Sequence, residues 1–224
     1  MTAVMRWGIA TLLLLALTGC LGQRADRTPP RPNLPLDRPS QWQAPASAET
    51  RACFADLDRL GVAYSPLADQ DFGGGCTMVG AVQLVDVGVP VTGLRGMRCG
   101  LARAFAGWVR NGVAPAARQM LGSDLVRVES FGTYACRATI GTATTRLSGH
   151  AIANAVDIGG FILADGRRVT VLADWNGPDP AVREFLRVVH ASACKRFGTV
   201  LSPDYNAAHR NHFHLEDDHA GFCR

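Results

Sequence analysis

Four of the six histidines in this chain fall in two short blocks. The first is Ser148-Gly149-His150-Ala151-Ile152-Ala153-Asn154-Ala155-Val156-Asp157, and the second is His209-Arg210-Asn211-His212-Phe213-His214. Imidazole nitrogen and carboxylate oxygen are donors that zinc accepts readily. A catalytic zinc keeps three protein donors and one open position. Read as a strand, the second block puts His212 and His214 on one face and Phe213 and Leu215 on the other. His150 and Asp157 are seven positions apart. On a regular strand they would face opposite ways, so a turn or two helical turns must separate them. The small residues between them allow close packing. His150, Asp157 and one of His212 or His214 then make a three-donor set for one zinc ion. Taken singly, each histidine reads as an ordinary loop residue; the joint pattern is what points to a site.

Hydrophobic spacing supplies the elements that must position these residues. Glu49 to Leu60 has helical spacing at Cys53, Leu57 and Leu60 and stops at Gly61. Ala81 to Val87 alternates as a strand. Cys99 to Leu121 reads as one or two helices broken near Pro115. Leu125 to Ser130 and Thr133 to Thr139 read as a hairpin with Gly132 near its turn. Val156 to Leu163 and Val169 to Leu172 flank Asp165-Gly166, a turn signal. Pro180 to Phe197 is an amphipathic helix with proline in its first turn. Val200-Leu201 and His212 to Glu216 are short strands. Helices first, then a strand-rich half with one inserted helix, predicts a single α+β domain, a central antiparallel sheet flanked by helices.

Composition bounds the setting. The chain has 224 residues, 47% hydrophobic and 19% charged, with a formal net charge of +4. That charge is too mild to indicate phosphate-backbone binding, so no nucleic-acid partner is expected. Arg6 followed by the apolar run Ile9 to Leu17 reads as a signal peptide over residues 1–19. Its end, Leu17-Thr18-Gly19-Cys20, resembles the bacterial lipobox. That resemblance implies acylation of Cys20 and a membrane anchor worth about 0.8 kcal/mol per buried CH₂. Leu21, in place of Asp, is similar to lipoproteins sent to the outer membrane and facing the periplasm. Residues 20–48 carry half of the twelve prolines and read as an extended tether. Residues 49–224 suffice for one core. Six cysteines remain after Cys20: Cys53, Cys76, Cys99, Cys136, Cys194 and Cys223. An exported chain with an even count points to disulfides. Sequence alone leaves the pairing open; Cys194 with Cys223 is the bridge expected to tie the tail to the last helix.

Across residues 50–224 the chain resembles the C-terminal domain of bacterial extensin-like proteins. The matching stretches are Cys76, Tyr134-Ala135-Cys136-Arg137, Ser148-x-His150, Ala155-x-Asp157-Ile158, Cys194-x-x-Phe197, Val200-Leu201-Ser202-Pro203 and His209-x-x-His212-Phe213-His214. More distantly, Ser148, His150, Ala155, Asp157 and the later His-x-His are similar to the zinc D-Ala-D-Ala peptidases and lysostaphin-type endopeptidases. That wider resemblance implies a zinc D-Ala-D-Ala peptidase-like fold with His150, Asp157 and His214 as metal ligands. It implies His209 or His212 for proton transfer and Arg137 for orienting the substrate; a structural salt bridge is the other reading of Arg137. The chain departs from that pattern twice. Ala153 stands where the wider group has Gly, and no Glu lies between Pro203 and Leu215. The implied function is a zinc-dependent hydrolase of peptidoglycan peptide bonds. The alternative is a non-catalytic wall-binding lipoprotein with the same fold.

Overall fold

The computed structural model describes residues 46–140 and 146–224. The signal peptide, Cys20 and most of the tether lie outside the described residues. Helix α1 (Ala48–Arg59) starts where the Ser47 hydroxyl accepts a hydrogen bond from the Thr50 amide. It buries Cys53 and Leu57 and ends before Gly61, whose φ is +60°. Four short strands follow: β1 (Ala63–Pro66), β2 (Gln70–Gly73), β3 (Cys76–Met78) and β4 (Ala81–Asp86). Then come β5 (Val91–Thr92) and β6 (Met97–Arg98). β1, β4 and β6 form a small three-stranded sheet, and β2 pairs with β3.

Helix α2 (Cys99–Trp108) widens into a π-turn at Val109–Val113 before α3 (Ala114–Leu121) resumes. The expected break therefore precedes Pro115, which sits in the first turn of α3. A proline lacks the amide for the preceding turn and crowds the carbonyl four residues back, and a widened turn removes that clash.

The second half builds the main sheet from β7 (Leu125–Gly132), β8 (Ala155–Leu163), β9 (Arg168–Thr170), β10 (Thr199–Leu201), β11 (Phe213–Glu216) and β12 (Phe222–Cys223). With β5 it has seven strands in the order β12-β10-β11-β8-β7-β5, β9 pairing β8. The sheet is mixed. Its middle is antiparallel as expected, but β5 and β12 add parallel pairs at its two ends. Short α4 (Val171–Asp174) and long α5 (Pro180–Cys194) connect β9 to β10.

Two expectations are corrected. Thr133 to Thr139 does not form a hairpin with β7, whose antiparallel partner is β8. The segment leaves the sheet because its side chains are held elsewhere. Thr133 Oγ1 donates to the buried Gly96 carbonyl, Tyr134 packs on Met78, Ala81 and Ala153, and Cys136 is bonded to Cys76. The strand expected at Val169 to Leu172 ends at Thr170, whose hydroxyl caps α4 by accepting from the Ala173 amide.

The core lies between the sheet and helices α2, α3 and α5. Trp108 is fully buried, donates its indole N–H to the Val189 carbonyl at 3.0 Å, and meets Phe161 and Phe197 edge-on. Phe161 also packs edge-on against Phe185. Each such ring contributes about 1.5–3 kcal/mol by leaving water. Three disulfides join the parts: Cys53–Cys99, Cys76–Cys136 and Cys194–Cys223. The last is the bridge expected from the sequence. Among the described residues no helix is long and apolar enough to cross a membrane.

Candidate metal centre

Strand register brings the two histidine blocks together. His214 of β11 lies directly opposite Asp157 of β8. Opposed residues in an antiparallel pair project from the same face, a few ångströms apart. On the far side of β8, Gly132 of β7 faces Asp157, so β7 adds no side chain beside it. The alternate face of β11 sends Phe213 and Leu215 into the core, both fully buried. The face carrying His214 therefore cannot rotate away without expelling two large apolar side chains.

His150 reaches the same point through a turn. Ser148 accepts from the His150 amide to open the single 3₁₀ turn Gly149–Ile152, and Ala153 closes it with φ +54°, ψ +29°. This is the left-handed conformation that glycine adopts freely and alanine adopts at about 1–2 kcal/mol. Ala153 thus closes the turn and carries strain. The Ala153 carbonyl is held by the Arg98 amide at 2.8 Å, and its methyl is buried.

Three donor atoms converge. His214 Nδ1 lies 2.8 Å from Asp157 Oδ1, and His150 Nε2 lies 3.2 Å from both. Two ligands of a tetrahedral zinc, each about 2.0–2.1 Å from the metal, stand about 3.3 Å apart. The donor types and their spacing fit that ion. The outer nitrogens are also engaged: His150 Nδ1 meets the Thr133 carbonyl at 3.3 Å, and His214 Nε2 meets Glu216 Oε1 at 2.6 Å. Acceptors on the outer side hold the ring protons there and turn the inner lone pairs toward the shared point. His150 and His214 are both almost wholly buried.

His212 and His209 stand at the edge of this cluster. His212 Nε2 is 3.5 Å from Asp157 Oδ1, and its Nδ1 is fixed by the Asn211 side chain at 2.8 Å. His209 Nδ1 is fixed by the Asn206 side chain, also at 2.8 Å. The His209 ring lies 5.2 Å from that of His212 and 5.7 Å from that of His214. His209, His212 and His214 form a second group with metal-holding spacing that shares His214. A third group, His190 with Cys194 and Cys223, has its sulfurs joined in a disulfide and offers no thiolate.

Electrostatics separate the roles. Burial pushes the His214 imidazole down, but the hydrogen-bonded carboxylates of Asp157 and Glu216 outweigh it and raise it to about 9. Burial pushes Asp157 up, while hydrogen bonds from His150 and His214 hold it well below the usual carboxylate range. Burial, with the His214 and His212 charges, lowers His209 to about 4. Burial also lowers His212. Near neutral pH, His209 and His212 are thus free bases at the edge of a cluster whose centre holds a proton between His214 and Asp157.

The cluster opens on a cleft of about 460 Å³ lined by His209, His212, His214 and Arg137. Arg137 donates to the Ala138 carbonyl at 3.3 Å, and no carboxylate among the described residues forms an ion pair with it. All the histidines singled out from the sequence, with Asp157 and Arg137, are thus at one site. Sequence reasoning missed Glu216, although its alternation with His212 and His214 put it on their face. It also missed Asn206 and Asn211, which carry no signal apart from the histidines they hold.

These features define an α+β domain with a buried histidine–carboxylate centre at the floor of an open cleft. The family model for the extensin-like protein C-terminus matches residues 51–224, and the chain belongs to that family. Neither a curated protein nor a solved structure matches it.

Proposed function

We propose that the protein is a lipid-anchored zinc hydrolase of peptidoglycan peptide bonds, akin in fold and chemistry to the zinc D,D-carboxypeptidases and endopeptidases. The observation that carries the reading is the approach of His150 Nε2, Asp157 Oδ1 and His214 Nδ1 to within 3.2 Å of one another, with both rings tied on the outside. These three residues hold the zinc. When bound, the ion supplies Lewis-acid activation of the scissile carbonyl and of water. His209 and His212, neutral near pH 7, accept and relay the proton. Arg137 fixes the substrate beside them. Acylated Cys20 and the proline-rich tether place the domain at the outer membrane, facing the periplasm and its wall.

A non-catalytic wall-binding lipoprotein is the second reading. One observation favours it: Glu216, a carboxylate beside the histidines, is engaged with the outer nitrogen of His214. The bases left are imidazoles.

The test is zinc content and muropeptide turnover of the purified protein, wild type beside His214→Ala. About one zinc per chain with stem-peptide cleavage, both lost in the variant, is the expected result. Zinc without cleavage leaves the wall-binding reading. Absence of zinc from the wild type after metal is supplied overturns the hydrolase.

A further inference from the structure

The cleft beside the histidines is lined by side chains of both charges. Part of the lining is a two-stranded arm in which Ala138 pairs with Leu147, the Thr139 amide donates to the Arg146 carbonyl, and the Ser148 amide donates to the Arg137 carbonyl. In such an antiparallel pair the residues flanking the bridge share a face. Arg137, Thr139, Arg146 and Ser148 accordingly all line the cleft, while Ala138 and Leu147 do not. The arm thus presents two guanidinium groups. Arg137 lines the same cleft as His209 and His212.

Two acidic residues, Glu216 and Asp218, line the cleft as well. Glu216 is engaged with His214. Asp218 is aimed by two short-range bonds: Oδ2 accepts from the Thr199 hydroxyl at 2.8 Å, and Oδ1 from the Ala220 amide at 3.2 Å. Ile140, Leu201 and Phe222 add apolar surface to the lining, and Ile140 is 55% exposed. A purely anionic ligand would leave Asp218 facing like charge, and a purely cationic one would leave two arginines doing so. Either mismatch is costly in a confined cleft.

We infer that the cleft binds an unsubstituted α-amino-acid group, carboxylate toward Arg137 and Arg146 and ammonium toward Asp218, carried on an aliphatic stem. The inference rests on the hydrolase reading for where the scissile bond lies. It deepens that reading by making Arg146 and Asp218 specificity residues that select a diamino-dicarboxylic side chain over a simple diamine in the stem peptide. A free amino acid offers the same chemistry.

The test is calorimetric binding to the intact protein in detergent, which requires no turnover. The probes are γ-D-glutamyl-meso-diaminopimelate, its side-chain carboxamide, its side-chain N-acetyl derivative, γ-D-glutamyl-L-lysine and free meso-diaminopimelate. The unmodified diaminopimelyl peptide is expected to bind about tenfold or more tightly than the carboxamide, the N-acetyl form or the lysyl peptide, about 1.4 kcal/mol or more. Arg146→Ala should bring it within about twofold of the carboxamide. Asp218→Asn should bring it within about twofold of the N-acetyl form. Arg146 is exposed, so its truncation leaves the fold in place. Equal affinity for all the peptides overturns the inference and leaves the hydrolase reading to its own zinc and turnover assay. Selective binding without cleavage supports the inference and removes the hydrolase. If free diaminopimelate matches the peptide, the zwitterion site stands and its source is the free amino acid.

Discussion

The outer nitrogens decide how the centre behaves. Glu216 touches no shared donor point, yet it sets which nitrogen of His214 faces inward. Glu216→Gln should therefore lower zinc affinity about 10–100-fold while the fold survives, measured by competition with a chromophoric chelator. Gly149 protects that contact, since a methyl group there would stand 2.6 Å from the Glu216 carboxylate. The proton on His214 makes a second expectation. Its pKa is raised to about 9 from an ordinary value of 6.5, so its contribution to stability is complete below about 6.5 and is lost as pH rises through about 9. The metal-depleted protein should thus melt at lower temperature as pH rises across that window, and His214→Gln should flatten the slope, read by calorimetry. Zinc bound as proposed would displace the same proton, so its binding at pH 7 should release that proton to the buffer. Ala153→Gly should change stability by less than about 1 kcal/mol, because relieved strain offsets a lost buried methyl group of about 0.8 kcal/mol; denaturant melts check this.

Among the elements, the arm after β7 is where sequence and structure part. The strands carrying His214 and Asp157 were legible because Phe213, Leu215, Val156 and Ile158 alternate with polar or small residues. Thr133 to Thr139 alternates too, yet a sheet is not what it packs against. The Cys76–Cys136 bridge and the Tyr134 contacts draw it to β3, and six cysteines offered no unique pairing in advance. The cleft was illegible for a related reason: its lining comes from separate segments, and the cationic part depends on that diverted arm. Replacing Cys76 and Cys136 together with serine should cost about 2–5 kcal/mol and also weaken zinc binding, since the Thr133 carbonyl that orients His150 lies on this arm. A thermal melt and a zinc titration on one sample separate the two effects.

At the scale of the whole molecule, the proposed lipid anchor bears on where the domain works. Cys20→Ser should release the protein from the membrane fraction into soluble extract, leaving zinc affinity unchanged, because the centre lies wholly within the folded domain. Fractionation followed by metal analysis tests both halves. The centre itself is divided along the chain: His150 and His214 stand 64 positions apart, and β12, bonded through Cys223 to Cys194, edges the strand beside the one that carries His214. A chain still being made holds His150 and Asp157 well before it holds their partner. Ribosomal stalling, a frameshift or proteolysis anywhere ahead of residue 214 leaves an incomplete donor set. If the protein cuts wall peptides as proposed, its activity is thereby deferred to the last moments of biogenesis, and unfinished copies would be harmless to the cell that makes them.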